Sequence, residues 1–443
     1  MINRQRVVDW EPDLWYPRTG RVDPARRGVG ADGSNPCHGQ RKLSFLESRL
    51  SLLLFGAALA FSAGCGVARD GQEQGWSGTL DTLPSGQILV TNRDEPIWLP
   101  GEQWLVVEEM RIGRADGEGP DLFGRIGALE VDGGGRLWVL DEQAQELRVF
   151  TAAGEYVRTV GRRGRGPGEF AQAIQVDLGP DGNIWVMDRA NARLSVFDTA
   201  GKYTDAKRVP GGFLIRFGGF DMFGRYYEPF PRIGIGGEMS IVMLRHNASF
   251  TSVDTIELPR DPVKRTGFEV RNKEGGRLAA GAPFQGRLLW RLSRHGTIWV
   301  LITDQYRLVE LEANGDTLRT VSREFSPLPV TEADRTRARE ELKWFTQQGG
   351  QIDWSKVPDS MPLATDFFLD DEDGLWVAVP TAQGESGRQF QIFDRVGRYM
   401  GDVQIPFAVS RFPRPIFRRG MMYAVTHDAS DVPHVVVARI VKR

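Results

Sequence analysis

The stretch GRRGRGPGEF, residues 161–170, sets Arg162, Arg163 and Arg165 among glycines, and DRANAR further on supplies Asp188, Arg189, Asn191 and Arg193. Guanidinium groups gathered in this way bind carboxylate, sulfate or phosphate through paired N–H donors. A glycine-rich turn also cradles phosphate on backbone N–H groups when a helix starts directly after it. Here no helical pattern and no Lys-Ser/Thr pair follows. The same slot recurs as GRADGEGPDLF at 113–123, with acids in place of arginines. The glycines therefore read as a tight crossover that needs positive φ. For the arginines two readings stand: an anion- or partner-binding cluster, or braces (Arg193 with Asp188) beside solvated side chains.

Other chemistry is sparse. His246, His295, His427 and His434 lie far apart without ligand spacing and read as turn or surface residues, while His38 precedes the expected cleavage site. The DDED run at 370–373 lacks the twelve-residue pattern of a calcium loop and reads as a solubilising turn. No G-x-S-x-G and no dinucleotide fingerprint occurs, so no cofactor is expected.

The elements that carry these residues repeat. Gly119 and Gly166, Phe123 and Phe170, Trp138 and Trp185, Asp141 and Asp188, Phe150 and Phe197, and Gly154 and Gly201 are each 47 apart. Each copy reads as four short strands of alternating apolar residues separated by glycine turns, as in AIQVD, NIWVMD, RLSVFD and KYTDAKR. Looser copies lie at 294–321 and 371–403, and worn ones at MFGRYYEPF and RRGMMYAVTH. A period of roughly 40 to 50 residues with four strands per unit specifies an all-β propeller.

GRRGRGPGEF with IQVDLGPDGNIWVMDRANARLSVFDTAGKY resembles the NHL-repeat propellers, in particular six-bladed propeller lipoproteins of bacteria. The likeness extends over most of 78–443 and is strongest in 113–208. It implies a fold rather than one activity. Core aromatics at Trp138, Trp185, Tyr226, Trp299, Trp376 and Tyr423 count six blades. EQWLVVEEMRIG (102–113) is expected to close the last blade beside the C-terminal PHVVVARIVKR, leaving no open edge. A strand at 84–92 opens the alternative of seven.

Two segments interrupt the ring. Residues 259–283 read as a hairpin or loop. Residues 327–362 contain a helix of about four turns, started by a capping box of Thr331 and Asp334 and serving as a lid on one face or a filler between blades four and five. Strand polarity puts the loop between strands two and three on the same face as the crossover to the next blade. The two arginine groups therefore share a face. The DDED turn belongs to the opposite one.

The N-terminal part is a separate matter. Residues 1–40 show no apolar period and read as a disordered or mis-assigned extension. Arg41, Lys42 and Arg49 precede the apolar run Leu52–Phe61, which has the layout of an export signal over 41–64. SAGC resembles a bacterial lipobox, with Ser62 departing from its usual leucine. That resemblance implies lipidation at Cys65, a linker over 65–77, and anchoring outside the cytoplasmic membrane. With Gly66 rather than aspartate next, it implies the outer membrane of a Gram-negative cell.

The chain has 56 basic and 58 acidic residues, so no overall field favours nucleic acid. Two functions stand. One is a monomeric, membrane-anchored binding or scaffolding module for a protein, carbohydrate or small molecule. The other is a metal-assisted hydrolase or lyase with a divalent ion at the central channel, as the fold's likeness to lactonases and amidating lyases implies.

Overall fold

The computed structural model describes residues 75–209, 218–233, 239–271, 275–324, 326–382 and 388–443. Cys65, His38, the extension at 1–40, the export segment at 41–64 and residues 65–74 of the linker lie outside the described residues.

Six four-stranded antiparallel blades, numbered 1 to 6, follow one another along the chain, at 126–160, 173–208, 219–257, 288–323, 366–404 and 416–441, blade 4 being part of a six-stranded sheet. The first strands of blades 1 and 2, 2 and 3, 4 and 5, and 6 and 1 touch one another, which makes them the innermost strands of a ring. Blade 6 takes its outermost strand from Leu105–Ile112, which pairs antiparallel with Pro433–Val441. This is the closure expected from the two chain ends.

The local cause of each blade is its first hairpin turn. Three residues before the core aromatic the backbone enters the left-handed region, at Gly135, Gly182, Gly224, Gly296, Asp373 and Gly420. In blades 1, 3 and 5 an aspartate starting the turn then reaches the aromatic's polar tip. Asp132 Oδ2 accepts from Trp138 Nε1 at 3.0 Å, Asp370 Oδ2 from Trp376 Nε1 at 3.0 Å, and Asp221 Oδ2 from the Tyr227 hydroxyl at 3.0 Å. This register corrects one expectation. The blade 3 counterpart of the tryptophans is Tyr227, not Tyr226, because side chains alternate along a strand and a shift of one reverses the face. Tyr227 packs toward blade 4, whereas Tyr226 packs back against Trp185 of blade 2. Trp138, Trp185, Trp299 and Trp376 are all buried between successive blades.

Residues 84–92 do not start a seventh blade. Ile88–Asn92 pairs in parallel with Thr317–Arg323, the outermost strand of blade 4, and Thr79–Thr82 pairs outside it. The chain then crosses blade 5, where Ile97 N and Trp98 N donate to Tyr399 O and Met400 O at 3.2 and 2.9 Å. The Trp98 ring covers Gly401, where a Cβ would lie 2.5 Å from it. One segment thus straps blades 4, 5 and 6 before completing the last.

Both insertions leave the ring at crossovers next to blade 4. The first forms the hairpin Gly267–Arg271 with Arg277–Gly281. The second forms helices Glu332–Glu341 and Lys343–Gln347, with the capping box of Thr331 and Asp334 in place. They bury Phe268, Ala280 and Ala282 against Leu342, Phe345 and Val357, a pairing the separate segments did not announce. Arg265 joins the hairpin to blade 4 through Asp304 at 2.6 Å. The helical segment is therefore half of a two-part cap.

Candidate functional site

The crossover loops and the loops between strands two and three do share a face, because they bond directly. Asp188 Oδ2 and Oδ1 accept from Ala171 N and Gln172 N at 2.9 Å each, pinning the entry of blade 2's innermost strand. Asn191 Nδ2 donates to Asp188 Oδ2 at 2.6 Å and to Gly164 O at 3.4 Å. Arg193 lies beneath the crossover and donates to Gly166 O at 2.6 Å and Glu169 O at 2.9 Å. Blade 1 uses Arg148 likewise, on Pro120 O at 3.1 Å and on Leu122 O. Asn191 and Arg193 are thus committed to the blade. The crossover glycines are structural too: a Cβ on Gly161, at φ 77°, would lie 2.2 Å from the Phe170 ring.

The remaining arginines are nearer to solvent. Arg162 pairs with Glu169 at 2.7 Å. The Glu169 carboxyl is held below its ordinary range by the Gly166 N–H first and Arg162 next. Arg189 Nε donates to Gln172 Oε1 at 3.1 Å. Arg163 and Arg165 are exposed. Arg163 donates to Gln143 O at 2.6 Å and, with Arg125, Glu142, Gln145 and Gln172, lines a cleft of about 220 Å³ between blades 1 and 2. A second cavity of about 460 Å³ lies over the helical half of the cap, where Arg339 stands 5.1 Å from the Trp354 ring.

A stronger basic group lies elsewhere. Arg291 is on blade 4's innermost strand, and Asp366 opens that of blade 5. Arg411 and Arg414 stand on the crossover from blade 5 to blade 6, so they approach the same end of the channel. Arg291 donates to Asp366, to Phe367 O at 2.9 Å and to Trp290 O at 2.7 Å, with its guanidinium 4.9 Å from the Phe367 ring. Burial holds Arg291 below the usual guanidinium range; Asp366 opposes this and Arg411 adds to it. Arg414 is pushed down further, by burial first and the Arg291 charge next. Arginine keeps its proton in proteins, so the charges of Arg291, Arg411 and Arg414 stand together with that of Asp366. Nothing in the local pattern of RFPRP signals it, because Arg291 comes from a distant repeat.

Two histidines differ from expectation. His246 and His434 are buried, beside Glu228 and Asp428 respectively, each at 3.4 Å. Strand alternation turned them inward. His295 is exposed and pairs with Asp373 at 2.9 Å, and His427 Nδ1 lies 3.0 Å from the Ser410 hydroxyl. The DDED turn is on the face away from the crossovers, as expected, but it links blades rather than only meeting solvent. Besides Asp370 on Trp376 and Asp373 on His295, Asp371 O accepts from Arg294 at 2.9 Å and its carboxylate from Arg419 N at 2.6 Å. Among the described residues no three His, Cys, Asp or Glu side chains form a metal-holding group.

The fold and this face define a six-bladed β-propeller with a capped, basic crossover face. Residues 120–214 match a family described as 6-bladed beta-propeller, DUF5128. No curated protein sequence matches the chain. Among the solved structures similar to it are the following three. A candidate exported protein from Bacteroides fragilis shares 12% identity over 80% of this chain and 99% of that one, with a TM-score of 0.44. A member of the DUF4221 family from Bacteroides vulgatus shares 10% over 77% and 99%, with a TM-score of 0.44. Virginiamycin B lyase from Staphylococcus aureus shares 10% over 75% and 88%, with a TM-score of 0.33.

Proposed function

We propose that this protein is an exported, lipid-anchored binding module that takes an acidic ligand on the crossover face of its ring. The observation that carries the reading is the gathering of Arg291, Arg411 and Arg414 around Asp366 at the channel mouth. Guanidinium groups present paired donors that match carboxylate, sulfate or phosphate oxygens. Arg163 and Arg165, exposed on the same face, extend the basic surface toward blades 1 and 2. Titration calorimetry with inorganic sulfate and with citrate tests this. Arg411→Ala, at an exposed position, should weaken binding at least tenfold and leave the melting temperature unchanged. Equal binding by the variant would sink the reading.

The anchor is carried by Arg41, Lys42 and Arg49 before an apolar run and SAGC, with Cys65 as the acylated residue and Gly66 favouring the outer membrane. Mass spectrometry of the membrane fraction should find a chain starting at Cys65 with attached acyl groups. A soluble product that keeps residues 1–40 would refute the anchor without touching the binding reading.

A further inference from the structure

In each blade one residue of the innermost strand pairs with the core aromatic, and these six mark one level of the channel wall: Glu130, Asp177, Gly219, Arg291, Phe368 and Ile416. Acids stand on blades 1 and 2, and blade 3 contributes no side chain. Asp177 stands against Gly219, where a Cβ would lie 3.5 Å from Asp177 Oδ1. Asp177 is half-buried and accepts from Gln175 Nε2 at 2.9 Å on both oxygens.

Next to Gly219, blade 3 turns Tyr226 and Glu228 toward blade 2. Tyr226 has no exposed surface, and its hydroxyl has no hydrogen-bond partner. Glu228 is 1% exposed; its Oε1 has no partner, and its Oε2 lies 3.4 Å from His246 Nε2. The charges of Asp177 and Glu228 both act on the Tyr226 phenol, which burial already holds well above its ordinary range. Phe220, at 5.0 Å from Tyr226 and 5.0 Å from Trp185, provides aromatic walls. Buried polar atoms without partners are costly, so two of them beside one carboxylate point to a missing donor.

We propose that Asp177, Tyr226 and Glu228 bind the primary ammonium group of a ligand that enters along the channel. An alkylammonium carries three N–H donors, and the wall offers three acceptors: the Asp177 carboxylate, the Tyr226 hydroxyl oxygen and Glu228 Oε1. The aromatic rings favour a cation on their faces. The proposal does not depend on the acidic-ligand reading, because no residue is shared.

The test is calorimetry on the full-length purified protein with methylammonium at pH 8.5, where Asp177, pushed up to about 8 by burial, is largely ionised. Glu130, Glu228, Tyr226 and His246 are the other titratable groups facing this wall, and the variants separate them from Asp177. Saturable binding is expected, weakened at least tenfold in Asp177→Asn and in Tyr226→Phe. Tyr226→Phe keeps the ring and removes an unpartnered hydroxyl, so its melting temperature should not fall. Tetramethylammonium, which has no N–H, should not compete. Absence of saturable binding, unchanged affinity in both variants, or equal competition by tetramethylammonium each overturns the proposal.

Discussion

Asn92 is bound to Tyr399 across the outside of the ring: its Oδ1 accepts from Tyr399 N at 2.7 Å, while its Nδ2 donates to Gly397 O at 2.9 Å. One side chain on the N-terminal strap thus replaces a missing strand partner on blade 5. The Arg323 guanidinium, 4.0 Å from the Tyr399 ring centre, covers the same joint. The ring is closed by this strap as well as by the shared blade 6.

Asn92→Ala should therefore destabilise by about 2 to 3 kcal/mol, since it leaves buried backbone groups on blade 5 without partners. Chemical unfolding measures this. A change within the noise would mean that the strap lies on the ring without holding it.

Trp138 and Trp185 occupy equivalent places but differ at the indole nitrogen. Trp138 Nε1 donates to Asp132, whereas blade 2 has Gly179 near that site and Trp185 Nε1 is buried without a partner. Either change to alanine should cost about 3 to 5 kcal/mol. Trp138→Phe should cost about 1 to 2 kcal/mol more than Trp185→Phe, because only the first removes a hydrogen bond to a buried carboxylate, Asp132, whose Oδ2 keeps Arg136 Nε at 2.7 Å. Equal losses in the two phenylalanine variants would show that the aspartate bond has no net weight.

Arg193 and Arg163 separate brace from surface. Arg193→Ala removes the donor to two crossover carbonyls and should cost about 1 to 3 kcal/mol. Arg163→Ala, at an exposed residue, should stay within about 0.5 kcal/mol. The reverse order in melting experiments would make Arg163 the structural residue and remove it from the binding face.

The channel acids set a pH dependence. Burial raises Asp177 to about 8, and Glu130 is raised from its ordinary value by burial, with the Arg418 charge opposing. A carboxyl with a raised folded pKa binds more protons in the folded state, so its stabilisation is complete below about 4 and is lost as pH rises toward 8. The melting temperature should fall across that window, and Asp177→Asn should flatten the fall. An unchanged slope in the variant would assign the effect to other groups.

The repeated pairs 47 residues apart, the glycine turns between the short strands and the closing strand at 102–113 were legible from the sequence, because strand alternation and turn geometry are local and recur along the chain. The crossover reading of GRRGRGPGEF followed from the same repetition. The shift from Tyr226 to Tyr227 was missed in blade 3, where the pattern is worn and one residue of register reverses the face.

Sequence alone therefore determined the propeller, its blades and the face on which Arg163 lies, since those depend on periods shorter than one repeat. Tertiary structure alone decided that Ile88–Asn92 straps blade 4, that the two insertions form one cap, and that Arg193 is a brace. It also brought Arg291 to Arg411 and Arg414, and Asp177 to Tyr226 and Glu228. These relationships join residues from different blades, and ring closure makes them neighbours. No local pattern records such a contact, because its energy comes from burial and charge that exist only after the sheets have packed.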